Sequence, residues 1–134
     1  MTDTLTDTLH STMPMCATLG VTASRLDAAD VVLHLPWRAE LCTSGSRLHG
    51  GILMALADSA GAACAFANLP DGAIGTSTIE SKTNFLRGVA DGEVTATARP
   101  LHVGSTTIVI EVELTHDDRL VAKVTQTQII LRPR

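Results

Sequence analysis

The sequence predicts an α+β fold, a single long apolar helix wrapped by a curved antiparallel sheet, and three observations carry that prediction. Residues 51–68 form a stretch longer than an ordinary strand and rich in Ala, Leu and Met rather than β-branched residues. The stretches before and after it alternate apolar and polar residues with a period of two. The connectors between the later stretches are short enough to join antiparallel neighbours.

Each element can be justified in chain order. Residues 1–14 read as a tail, in which Thr-Asp-Thr-Leu occurs twice, at residues 2–5 and 6–9, a repeat too short to mean more than biased composition, and a domain spanning residues 15–134 follows. Residues 11–19 could make a short helix, with Pro14 in its first turn where a missing N–H does no harm. Residues 21–26 and 31–35 read as a hairpin, since Val31, Leu33 and Leu35 share one face; Pro36 ends the second strand. Residues 37–48 are loop-like around Thr43-Ser44-Gly45-Ser46 and lead into His49-Gly50-Gly51. The helix then runs to Asn68 and is stopped by Leu69-Pro70-Asp71-Gly72. Four strands complete the chain: residues 76–85; 93–101, with Val94, Ala96 and Ala98 on one side; 106–115, with Ile108, Ile110, Val112 and Leu114 inward; and 120–132. Asp117-Asp118 reads as a hairpin tip and not as a paired-carboxylate site. A helix that is apolar nearly all round must be covered nearly all round, by a sheet that curls over it and by a neighbouring subunit. Gly61 costs on the order of 1 kcal/mol against alanine, which suggests close approach of another backbone there.

Composition narrows the function. At 134 residues the chain is expected to be one domain with a single core. Net charge is -4 and no run of Lys or Arg exists, so neither nucleic acid nor an anionic membrane surface is an expected partner. Trp37, Phe66 and Phe85 are the whole aromatic complement, which disfavours base stacking. Cys16, Cys42 and Cys64 are odd in number and lack ligand spacing, so neither a metal site nor any other cofactor is expected, and a reducing compartment is. The N-terminus carries Asp3 and Asp7 and no long apolar stretch, so no signal peptide is expected and the cytoplasm is the default location. The longest apolar run, residues 52–57, is far short of the ~20 residues of a membrane span.

One carboxylate stands inside the apolar helix. Asp58 has no Lys or Arg three or four residues away, so in a buried helix it would lack local compensation. Such burial would favour its protonated form and strengthen it as a base near neutral pH; a solvated surface aspartate is the alternative. At the other end, the first free N–H groups of the helix, at Gly50 and Gly51, meet the requirement for an oxyanion hole, and glycine lets a carbonyl approach the backbone. His49 would orient the loop or a substrate, or simply hydrogen-bond structurally. Gly50 and Asp58 lie about 12 Å apart along a helix, whereas a base and an oxyanion donor must each lie within roughly 3 Å of one reacting group. Two helices packed antiparallel about a two-fold axis bring Gly50 of one chain to Asp58 of the other, so a homodimer with two shared sites is expected.

His49-Gly50-Gly51, six residues and then Asp58, inside one long helix between a hairpin and an antiparallel run of strands, resembles the hotdog-fold acyl-CoA thioesterases. It is most similar to the branch of the phenylacetic-acid-degradation and 4-hydroxybenzoyl-CoA thioesterases, over residues 15–132. The resemblance implies hydrolysis of an acyl-CoA substrate without metal, in a homodimer that often pairs again into a dimer of dimers. It implies Asp58 as general base or nucleophile, Gly50 as the backbone donor, His49 and Gly51 in support, and Ser77 as a hydroxyl holding water beside the carboxylate, although Ser77 also reads as an ordinary strand serine. Relatives commonly carry Asn or Gln where this chain has Thr43, whose hydroxyl is shorter and offers one donor. Thr43 would then assist through water, or Ser44 or Ser46 would substitute. Arg87 is a candidate for the CoA phosphates, with a solvated surface arginine as the alternative. Trp37 and Phe85 either line the pocket or only pack. A hotdog dehydratase is disfavoured because its His/acid arrangement is missing; a non-catalytic acyl-CoA-binding module of the same fold remains the alternative.

Overall fold

A computed structural model describes residues 3–134. Helix α1 (Thr4–Thr12) and helix α2 (Pro14–Leu19) precede strands β1 (Thr22–Leu26) and β2 (Val31–Pro36). Two short 3₁₀ turns, Ala39–Leu41 and Ser44–Ser46, lead to the long helix α3 (Gly50–Ala67). Strands β3 (Gly75–Phe85), β4 (Glu93–Val103), β5 (Thr107–His116) and β6 (Arg119–Leu131) follow. The six strands form one curved antiparallel sheet in the order β1-β2-β4-β5-β6-β3, and α3 lies across its inner face. This is the hotdog architecture that the sequence predicts.

Alternation decides which side chains make the core. Leu33 and Leu35 on β2, Val94, Ala96 and Ala98 on β4, and Ile108, Ile110, Val112 and Leu114 on β5 are fully buried against Leu56, Ala57, Ala60 and Cys64 of α3. The small helix residues let the sheet approach closely. At Gly61 the approach is by a side chain and not by the backbone expected: a Cβ there would lie 2.5 Å from Gln126 Oε1. Asp117 and Asp118 both adopt positive φ, the geometry of a tight hairpin turn between β5 and β6 that Asp tolerates better than most residues.

Two expectations change. The segment read as a tail contains α1, capped by Asp3, whose carboxylate accepts a hydrogen bond from the Thr6 hydroxyl at 2.6 Å. Thr6 Oγ1 in turn accepts the Ala23 N–H at 3.0 Å, and Leu9 is buried, so α1 is fastened to β1. The cap and the single apolar contact are easily missed in a Thr-rich repeat. The second change concerns residues 88–92, which do not close a hairpin. β3 pairs with β6, and β4 lies between β2 and β5, so the connector crosses from the β3 edge to the interior of the sheet, held by the buried Val89 and the Leu48 N–H to Val89 carbonyl bond at 2.9 Å.

Only one side of α3 is covered by this sheet. Leu53, Leu56, Ala57, Ala60 and Cys64 face it, whereas Gly51, Met54, Asp58 and Phe66 are exposed. The near-complete cover anticipated from composition is therefore not supplied by one chain.

Candidate functional site

The exposed side of α3 and the outermost strand β3 frame a groove of about 260 Å³ lined by Gly51, Met54, Ala55, Asp58, Thr78 and Ser81. Positions 51, 54, 55 and 58 share a helix face through the i, i+3, i+4 spacing. Asp58 is exposed in the single chain, so the burial anticipated for it is absent there. Its setting is polar nonetheless. Oδ1 accepts hydrogen bonds from Thr78 Oγ1 at 2.7 Å and from Gln126 Nε2 at 3.3 Å. An ionised carboxylate only accepts, so both neighbours present donors to it.

Behind these two groups stands Gln128. Its Nε2 donates to both Thr78 Oγ1 and Gln126 Oε1, and both glutamines are fully buried. Donor orientation is thereby fixed from behind: with Gln128 donating to Gln126 Oε1, the Gln126 amide nitrogen must point toward Asp58. Gln128 Oε1 has no partner among the described residues. A legible signal existed for this network. On the inward stripe of β6, residues 122, 124, 126, 128 and 130, two glutamines interrupt Ala122, Val124 and Ile130.

The hydroxyl beside Asp58 therefore belongs to Thr78 and not to Ser77. Adjacent strand residues point to opposite faces, and Ser77, opposite Ile129 in the β3–β6 register, is exposed on the far side. An error of one residue in the strand reading exchanges the faces.

At the start of α3, His49 is the N-cap and its Nδ1 accepts the Gly51 N–H at 2.8 Å. That bond occupies one of the two N–H groups considered for an oxyanion hole. Gly50 retains its own, which has no hydrogen-bond partner among the described residues. Gly50 also lacks a side chain for a visible reason, since a Cβ would lie 3.2 Å from Cε1 and Cζ of Phe85. Phe85 thus packs over the helix start, and Trp37, half-buried against the core, donates its indole N–H to the Ser46 carbonyl at 3.1 Å. Thr43, Ser44 and Ser46 are all exposed in the loop before the helix.

Arg87 is exposed two residues beyond Phe85 and does not stand alone. Together with Arg47, Arg119, His116 and Asp117 it lines an open cleft of about 620 Å³ near the start of α3. No sequence signal joins Arg47 and Arg119 to Arg87, because the three arginines are far apart along the chain. His116 has its pKa raised, first by its hydrogen bond with the Glu93 carbonyl and then by Asp117 and Asp91. The cleft therefore gains positive charge as pH falls.

Comparison with known proteins bears on this geometry. Residues 45–123 match the sequence pattern described as the thioesterase superfamily. A protein of Saccharolobus solfataricus, provisionally designated an esterase, is 34% identical over 117 residues, covering 87% of this chain and 82% of that protein. Among solved structures, a mutant thioesterase from Pseudomonas aeruginosa is 26% identical with a TM-score of 0.86, covering 94% of this chain and 93% of its own. A phenylacetic acid degradation-related protein from Ralstonia eutropha is 25% identical with a TM-score of 0.82, covering 95% and 99% of the two chains.

Proposed function

Because the chain belongs to the thioesterase superfamily and is a hydrolase of that class, we propose that it hydrolyses acyl-CoA thioesters in two composite sites of a homodimer. The observation that carries this reading is the Asp58 carboxylate, the sole charged side chain of α3, held by Thr78 and Gln126 on the exposed side of the helix. The Gly50 N–H at the start of the same helix complements it.

In this reading the thioester oxygen accepts the Gly50 N–H, and the helix N-terminus favours the negative charge that develops there. Asp58 either takes a proton from the attacking water or attacks the carbonyl carbon itself, forming an anhydride that water then hydrolyses. Collapse of the tetrahedral intermediate breaks the carbon–sulfur bond and releases CoA thiolate, which takes up a proton. With Nδ1 accepting from Gly51, a neutral His49 carries its proton on Nε2 and offers that N–H to the substrate. Arg47, Arg87 and Arg119 would hold the CoA phosphates beside the helix start.

A second copy of the chain is supported by what one copy leaves open. β3 is an eleven-residue edge strand with no buried position, and Met54, Phe66, Ile79 and Phe85 are exposed near it. Such an edge is a template for pairing with another strand. Both the edge and the open face of α3 would be covered if two chains met there, and each Asp58 would then face the partner's Gly50.

Release of free thiol from a panel of aryl- and alkyl-CoA esters tests the reaction, with Asp58→Asn as the control. Thiol release no faster than that variant's would leave an acyl-CoA-binding module instead of an enzyme. Mixing Asp58→Ala chains with Gly50→Pro chains tests the shared site. Gly50 is the first helical position and His49 is extended (φ -62, ψ 136), so proline fits the backbone while deleting the N–H. Random pairing should restore about a quarter of wild-type activity, since half the dimers each regain one of two sites. No recovery in verified heterodimers would sink the shared-site geometry.

A further inference from the structure

A second cavity lies farther along α3 and has no part in the chemistry described above. Its volume is about 470 Å³, and its walls include Leu9, Thr12 and Met13 from the N-terminal helices and the turn between them, Ala62 and Phe66 from α3, and Thr76 from β3. Two spacings connect it to the candidate site. Asp58, Ala62 and Phe66 follow one another at i, i+4, i+8 along one helix face. Thr76 and Thr78 share a face of β3 through the strand period of two. The near wall of the cavity, at Ala62, thus begins one helical turn beyond the carboxylate. Its outer wall is fixed in place. α1 is tied to β1 by the Ala23 N–H to Thr6 Oγ1 bond and to the residue just before β1 by the contact of His10 Nε2 with the Val21 carbonyl, and Leu9 is buried.

We propose that this cavity receives the acyl group of the substrate as a linear aliphatic chain of about eight to twelve carbons, with α1 closing its far end. The inference rests on the thioesterase reading of Asp58 and adds its substrate class. Length and volume support it. From Asp58 to Phe66 is about 12 Å along the helix. An extended alkyl chain with carbon–carbon bonds of about 1.5 Å advances roughly 1.25 Å per carbon, so about ten carbons cover that distance. A cavity of about 150 Å³ suffices for benzene, so a single aromatic ring would leave most of this one unfilled. No charged side chain lines it, and Thr8, Thr12 and Thr76 supply its only side-chain polar atoms. An apolar tail is therefore the matching ligand, and flexible Met13 can adapt to its end.

Binding of two non-hydrolysable thioethers, S-decyl-CoA and S-ethyl-CoA, separates this proposal from the reaction it serves. The intact protein should bind the decyl compound at least a hundredfold more tightly, from burial of the added methylenes. Thr12→Trp fills the cavity from an exposed position on α1 and should reduce that preference tenfold or more. Ala62→Phe should do the same from the opposite wall. Equal binding of the two thioethers by the wild type overturns the proposal, as it would if side chains of a second copy already filled the cavity. A preference unchanged in both variants overturns it as well. Hydrolysis of decanoyl-CoA, measured in parallel, reports on the other reading. Selective binding without thiol release keeps the cavity and rejects the thioesterase assignment, whereas release without selectivity rejects the cavity alone.

Discussion

Replacing Thr78 with valine deletes one hydroxyl while keeping the side chain's shape. In the folded protein that hydroxyl donates to Asp58 Oδ1 at 2.7 Å and accepts from the buried Gln128 amide. A hydrogen bond to a charged group contributes about 1.5–3 kcal/mol. Full loss of that contribution in the transition state would slow the reaction by roughly 10- to 150-fold. Asp58 is exposed in one chain, so water can replace part of the lost bond, and Gln126 still donates at 3.3 Å. The expected fall is therefore near the lower limit, about tenfold in kcat, with KM changed less than about twofold. Stability should drop by about 1–2 kcal/mol, because Gln128 Nε2 retains Gln126 Oε1 as an acceptor. The assay is thiol release under saturating acyl-CoA, paired with urea denaturation. Thr78→Ser, which keeps the hydroxyl, should recover most of kcat. In an Asp58→Asn background the valine substitution should have little further effect on the rate, because the two side chains act as one unit. An unchanged kcat in Thr78→Val, or equal losses in the valine and serine variants, would refute the claim that this hydroxyl positions the carboxylate.

Further substitutions probe the two glycines and the thiols. Gly50→Ala places a methyl 3.2 Å from the Phe85 ring; the gain in helix propensity of up to about 1 kcal/mol should offset the shift of the ring, so melting temperature should barely move while kcat falls. Gly61→Ala puts a methyl 2.5 Å from Gln126 Oε1 and should destabilise by about 1–3 kcal/mol by calorimetry; it should also lower kcat by displacing Gln126 from Asp58. Ellman's reagent at pH 8 should titrate Cys42 in the native protein and reach Cys16 and Cys64 only after unfolding, since both are fully buried. Burial pushes the Cys64 thiol up to about 11 from an ordinary value of 9.0. The folded state thus resists losing this proton, so this thiol's contribution to stability should be constant below pH 9 and should decline as pH rises from there toward 11. Urea midpoints measured across that range check the sign, and a midpoint that rises instead would contradict it.

Much of this molecule is legible without coordinates because its signals are local. The period of two in residues 93–101, 106–115 and 120–132 follows from strand geometry, and the Ala- and Leu-rich composition of residues 51–68 follows from helix propensity. The anomalous position of Asp58 is legible for the same reason, as is the glycine entry to the helix. The elements that local signals do not announce depend on contacts between distant residues. α1 is held by Thr6 on Ala23 and by the burial of Leu9, contacts that a Thr-rich segment does not announce. Likewise, the short connector after β3 looks like a hairpin until β6, later in the chain, takes the place beside β3.

Sequence by itself determined the class of fold, the single acid of α3 and the glycine entry to that helix, because periodicity, composition and helix ends are properties of neighbouring residues. Only the tertiary structure decided which groups surround that acid. Strand register places Thr78 and not Ser77 on its side, β6 brings two buried glutamines to it from nearly seventy residues away, and three scattered arginines converge on one cleft. These are consequences of how a curved sheet closes over a helix, and register is fixed by burial of a whole face at once.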